Sequence, residues 1–288
     1  MPSVRINGIR LQYEDVGDGD PVVLVMGQGS GGRVWHLHQV PALVDAGYRV
    51  VTFDNRGIPP TDECPDGFTI DDLVADTAAL AEHLDLAPCR FVGVSMGAYV
   101  VQELMLARPR LVRQGVLMAT RGRTDALRAA MALADRALHD SELELPAAYS
   151  AWIRALQNLS PATLDDDQQI QDWLELFEFS PQRRGPGVRA QLDLEVPAGR
   201  LAAYRAIDVP CLVVGFADDV VLPPHLGREV ADAIPGAQYQ EIKGCGHYGY
   251  LERPDELNRV LLEFFHDRRS PTRTSPTRPS PPGHVDLG

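Results

Sequence analysis

No C-x-x-C pair and no cysteine–histidine pair at zinc spacing occurs in this chain of 288 residues. Its four cysteines, Cys64, Cys89, Cys211 and Cys245, are scattered, so neither a disulfide framework nor a metal site is expected. Cys89 and Cys211 each open an apolar run, where a buried thiol behaves as a small hydrophobe. No apolar stretch approaches the roughly 18 residues that span a bilayer, so no membrane partner is expected. The N-terminus, MPSVRINGIRLQYEDVG, lacks the basic start and apolar block of a secretory signal. It reads instead as two short strands joined at Asn7-Gly8, and a cytoplasmic protein is expected. Positive charge is scarce: 27 Lys and Arg stand against 40 Asp and Glu, for a net charge of −13. The basic residues form no stripe, so nucleic acid is not an expected partner and the charge serves solubility.

Hydrophobic residues make up 44% and charged residues 23%, an ordinary globular composition. The length suits one α/β domain carrying an insertion. Residues 21–27, PVVLVMG, are a continuous apolar run ending in glycine, as expected of a central parallel strand covered on both faces. Further strands are expected at Tyr48–Asn55, Arg90–Val94, Val112–Ala119, Val209–Phe216 and Gln238–Lys243. Helices are expected at Val34–Ala46, Ile70–Leu84, Ala98–Ala107, Pro224–Ile234 and Pro254–Phe265. From 121 to 205 strand-like runs disappear. Helical patterns over Asp125–His139, Pro146–Asn158 and Pro161–Phe179 mark an insertion, with Asp165-Asp166-Asp167 read as a solvated helix face. Residues 1–120 and 206–268 form the expected core, 121–205 the helical insertion and 269–288, rich in Pro, Ser, Thr and Arg, a disordered tail.

Arg90–Val101, RFVGVSMGAYVV, reads as a buried strand running into a helix through Gly93-Val94-Ser95-Met96-Gly97. A G-x-S-x-G bend of this kind exposes one serine hydroxyl above the sheet edge, at a helix start whose free N–H groups can stabilise an oxyanion. The loop Gly27-Gln28-Gly29-Ser30-Gly31-Gly32 follows the first buried strand and has two readings. In one, Gly27-x-Gly29-x-x-Gly32 fits a dinucleotide fingerprint with Asp54 near the ribose-binding position, although a hairpin precedes the strand. In the other, the loop aims the Gln28 backbone N–H at a reacting carbonyl oxygen. Ser95, Asp219 and His247 each follow an expected strand, at the sheet edge where ligands bind in α/β folds. A serine needs a base, and the base needs an acid to hold its tautomer; the chain supplies all three in the order Ser, Asp, His. His36, His38 and His225 lack the glycine-flanked setting of His247.

At four separated places the sequence resembles the α/β-hydrolase superfamily: GVSMG around Ser95, DNRG at 54–57, Asp219 four residues before Pro223, and GCGHYGYLERP around His247. The resemblance covers residues 3–267 and implies a doubly wound, mostly parallel α/β sheet of about eight strands, with residues 121–205 as a helical cap. It implies Ser95 as nucleophile, His247 as general base and acid, and Asp219, in preference to Asp218, as the orienting carboxylate. The backbone N–H groups of Met96 and Gln28 would form the oxyanion hole, and no cofactor is implied. Gly27, Tyr99 and Tyr248 are candidate substrate contacts, with packing as the alternative for both tyrosines. Two departures bear on pocket shape: Met26-Gly27 stands where relatives usually have His-Gly, and Gly57-Ile58-Pro59-Pro60-Thr61 replaces a G-x-G-x-S turn.

The expected function is a serine hydrolase cleaving a small-molecule ester, lactone or thioester, resembling esterases, lactonases and cofactor-free haloperoxidases. Alternatives are a cyclase, C–C bond cleavage or perhydrolysis at the same site, and a ligand-binding receptor without turnover. Dehalogenase and epoxide hydrolase chemistry are disfavoured, because those relatives carry aspartate where this chain has Ser95.

Overall fold

A computed structural model describes residues 2–141, 143–180 and 183–266; the expected tail, 269–288, lies outside the described residues. The chain opens with a hairpin, β1 (Ser3–Ile6) and β2 (Ile9–Val16), turning at Asn7-Gly8. Next come β3 (Asp20–Val25), α1 (Gln39–Asp45), β4 (Tyr48–Phe53) and α2 (Ile70–His83). The chain then continues through β5 (Cys89–Val94), α3 (Met96–Ala107) and β6 (Val112–Met118). After a helical stretch it resumes with β7 (Cys211–Phe216), α10 (Pro224–Ala233), β8 (Gln238–Ile242), α11 (Gly249–Glu252) and α12 (Pro254–His266). The eight strands lie in the order β1-β2-β4-β3-β5-β6-β7-β8. Both pairings of β2 are antiparallel and every pairing from β4 to β8 is parallel.

The apolar runs of β3 and β5 are explained by the two layers that cover them. Val23, Val25 and Phe91 face a cluster with Leu73 and Leu80 of α2 and Val101 and Leu104 of α3. Their neighbours Val22, Leu24, Val92 and Val94 face the opposite cluster, with Trp35, Leu43 of α1 and Leu257, Leu261 and Phe264 of α12. Alternate side chains therefore meet different helices, and neither face can be polar. Parallel strands bring all their C-terminal ends to one edge.

Between β6 and β7 lie α4 (Ala126–Asp140), α5 (Ala147–Asn158), α6 (Pro161–Leu164), α7 (Asp167–Phe179), α8 (Pro186–Leu192) and α9 (Arg200–Ala203). Two expected helices are each divided in the structure. Pro161–Phe179 breaks between α6 and α7, because the Asp166 carboxylate accepts from the N–H groups of Gln168 and Gln169 at 3.1 and 3.0 Å. Asp166 thus starts a new helix as its N-cap, rather than lining a continuous polar face. Val34–Ala46 divides into a 3-10 turn, Gly32–Leu37, and α1. Pro41 has no N–H to give the Leu37 carbonyl, so a helix running through His38 would lose that bond. Among the described residues no helix is long and apolar enough to cross a membrane.

Candidate active site

Ser95 sits between β5 and α3 with φ 56° and ψ −119°, a backbone conformation that costs on the order of 1–3 kcal/mol for a residue with a Cβ. The flanking glycines make the bend possible. A Cβ on Gly93 would strike the Gly97 carbonyl, and one on Gly97 would strike the Val25 carbonyl of the neighbouring strand. The bend is pinned by the Ser95 N–H, which donates to the Met118 carbonyl at the end of β6 at 2.9 Å. Although Ser95 occupies the N-cap of α3, its hydroxyl makes no capping hydrogen bond, and the residue is partly exposed. The structure therefore presents a hydroxyl at the strand edge with none of its bonding capacity spent on the helix.

Asp219 and His247 come together from the loops after β7 and β8. Asp219 Oδ2 lies 2.8 Å from His247 Nδ1, and Asp219 Oδ1 accepts from the N–H groups of Val221 and Leu222, both at 2.8 Å. Asp219 is 3% exposed and His247 8%, so the pair is shielded from competing water. An ionised Asp219 places the ring proton on Nδ1 and leaves Nε2 as a proton acceptor. Neighbouring Asp218 uses its N–H on the Cys245 carbonyl at 3.0 Å, which ties the two loops together.

The loop after β3 runs beside Ser95: an added Cβ at Gly27 would stand 3.3 Å from Ser95 Cβ. The Gln28 side chain is exposed. Neither the Gln28 N–H nor the Met96 N–H donates a hydrogen bond to another of the described residues. Three contacts hold this loop. Asn55 Nδ2 donates to the Met26 carbonyl at 2.8 Å, Asp54 Oδ1 accepts from the Gly32 N–H at 2.8 Å, and Gln191 Oε1 accepts from the Gly29 N–H at 2.8 Å. Asp54, weighed above as a ribose ligand, is thus turned to the glycine loop. Burial holds its carboxyl above the usual carboxylate range, against the lowering effect of the Gly32 hydrogen bond.

The two tyrosines are placed differently. Tyr248 is partly buried beside His247, with ring centroids 6.3 Å apart, and meets Trp173 and Phe177 of α7 at 6.4 and 6.2 Å. Its N–H donates to the Asn158 carbonyl of α5 at 3.0 Å, so it joins the histidine loop to the insertion. Tyr99 lies in the core cluster with Val100 and Tyr204. Its hydroxyl is buried without a hydrogen-bond partner among the described residues, and burial, then the Glu103 charge, push its pKa well up. Sequence reasoning missed Asn55 and Gln191 as loop braces. Asn55 stood in the DNRG motif, whereas no pattern singled out Gln191. No cluster of three or more His, Cys, Asp or Glu suited to a metal ion occurs among the described residues.

A strand-edge serine in a glycine bend, a buried Asp–His pair and an eight-stranded doubly wound sheet define one class of protein. Residues 22–260 match the model of the alpha/beta hydrolase family, and the chain belongs to that family as an enzyme. It is 54% identical over 257 residues to "Putative non-heme bromoperoxidase BpoC" of Mycobacterium tuberculosis (strain ATCC 25618 / H37Rv), covering 89% of this chain and 98% of that protein. The crystal structure of that protein superposes with a TM-score of 0.86, covering 88% of this chain and 95% of the other. A "Putative non-heme chloroperoxidase" of Synechocystis sp. is 28% identical, over 89% of this chain and 95% of its own length. The enol-lactonase of Burkholderia xenovorans LB400, at 24% identity, a TM-score of 0.74 and coverage of 92% of this chain and 100% of its own, shares the fold.

Proposed function

We propose that the chain is a serine hydrolase that cleaves a carboxylic ester, lactone or thioester through an acyl-enzyme on Ser95. The observation that carries this reading is the Asp219–His247 pair, 2.8 Å apart and buried, with the second carboxylate oxygen satisfied by two backbone N–H groups. A carboxylate so held keeps the imidazole in one tautomer and stabilises it when it becomes charged. His247 Nε2 takes the Ser95 proton as Oγ attacks the acyl carbon. The Gln28 and Met96 N–H groups receive the developing oxyanion, a stabilisation worth about 100- to 1000-fold per donor. His247 then protonates the leaving oxygen or sulfur and draws a proton from the water that frees the acid. Ester turnover by the wild type, lost in both Ser95→Ala and His247→Ala, is the expected result; either variant with wild-type kcat contradicts it.

The names of the mycobacterial and Synechocystis relatives support a second use of the same acyl-enzyme. Hydrogen peroxide replaces water: its oxygen attacks the acyl carbon, Ser95 recovers its proton, and a peracid departs. The peracid oxidises bromide in solution, taking up a proton to give hypobromous acid and the carboxylic acid. Bromination that requires both peroxide and a carboxylic acid, and that disappears in Ser95→Ala, is expected; bromination that survives the substitution rules this route out.

A further inference from the structure

Gln191 lies in α8 of the insertion, yet its side chain is spent on two loops of the core. It is 1% exposed; Oε1 accepts from the Gly29 N–H at 2.8 Å and Nε2 donates to the Arg56 carbonyl at 2.9 Å. One partner can only donate and the other can only accept, which fixes the amide orientation. Gly187 of α8 packs on Gly57 so closely that a Cβ on either residue would strike the other's backbone.

The loop from Met26 to Gly29 contains three successive peptide groups. The first, Met26–Gly27, is held through its carbonyl by Asn55, and the third, Gln28–Gly29, is held through its N–H by Gln191. Between them stands the Gly27–Gln28 peptide, which carries the Gln28 N–H. Glycine at 27 and 29 leaves this backbone unusually free to rotate, so the direction of that N–H depends on its two neighbours being fixed. We propose that Gln191 is a positioning residue that aims the Gln28 N–H at the oxyanion and makes this alignment depend on the docked insertion. The tie comes from across the domain, 162 residues away in sequence. The inference rests on reading Gln28 as an oxyanion donor in a serine hydrolase.

The test compares wild type, Gln191→Met and Gln191→Glu by steady-state kinetics, fluorophosphonate titration of Ser95 and inhibition by an alkylboronic acid. The boronate forms a tetrahedral adduct that uses the oxyanion hole, whereas ground-state binding does not. Gln191→Met is expected to keep its titratable Ser95 while kcat falls about 10- to 100-fold, KM stays within about twofold and boronate affinity falls with kcat. In Gln191→Glu, the protonated acid can make both hydrogen bonds but the carboxylate repels the Arg56 carbonyl. Its kcat relative to wild type is therefore expected to rise as pH is lowered. Wild-type kcat and boronate affinity in Gln191→Met, with Ser95→Ala inactive, overturn the proposal and leave the serine-hydrolase reading standing. A loss confined to KM overturns it equally. If Gln191→Met does not fold, a kcat ratio for Gln191→Glu that is flat with pH overturns it. A wild-type Ser95 that the probe does not label overturns both readings.

Discussion

The sheet core and the helical insertion solve the burial problem in opposite ways. In the core every residue of β5 and β7 is buried, and two helical layers cover the sheet. The insertion has a small apolar centre of its own, Ala151, Ala155, Leu159 and Phe177. Eight of the eleven large hydrophobic side chains exposed among the described residues belong to it, from Leu127 to Phe179. It is joined to the core by apolar packing, with Tyr204 buried in the core cluster and Leu194, Val196 and Leu201 against it, and by specific polar ties. Glu252 accepts from the Ser160 N–H and the Ser160 and Thr163 hydroxyls at 2.9, 2.9 and 2.7 Å, and from the Gly246 N–H at 2.6 Å beside His247. Gln191 provides the tie on the other side of the site. A densely buried sheet is suited to fixing the groups at its edge.

Substitutions in the two regions should separate along this line. The largest effect is expected in the core: Ser95→Ala should lower kcat by about a millionfold with little change in melting temperature. Asp219→Asn, which keeps the shape but forfeits the tautomer control, should cost about ten-thousandfold in kcat, read by the same ester assay. At the seam, Glu252→Ala strands several buried donors and should cost about 2–3 kcal/mol of unfolding free energy in a denaturant titration. On the insertion's surface, Phe179→Ser should change stability by no more than about 0.5 kcal/mol, since the ring is 90% exposed. An insertion substitution that abolished turnover without touching a tie would break the comparison.

The same contrast governs what could be read from the sequence. The central β-strands were legible because a strand buried on both faces is a run of apolar residues. Glycines around Ser95 and His247, and for Asp219 the chain order and its spacing to Pro223, singled out the candidate residues. The insertion was legible as helical but not in its joints. Asp166 looked like part of an acidic face because its role as a cap is a local hydrogen bond that leaves no periodic trace. Gln191 was invisible for a different reason: both partners are backbone atoms more than 130 residues distant, and backbone atoms carry no residue identity to match. Only the fold brings Gln191 to the loop that follows Met26.

The central claim is that Ser95 is an activated nucleophile, and intact-mass analysis after fluorophosphonate treatment, followed by peptide mapping, tests it most directly. The account predicts one adduct per chain on the Ser95 peptide, absent from Ser95→Ala and formed far more slowly in His247→Ala. An unlabelled wild-type protein, or an adduct on another residue that persists in Ser95→Ala, would contradict it.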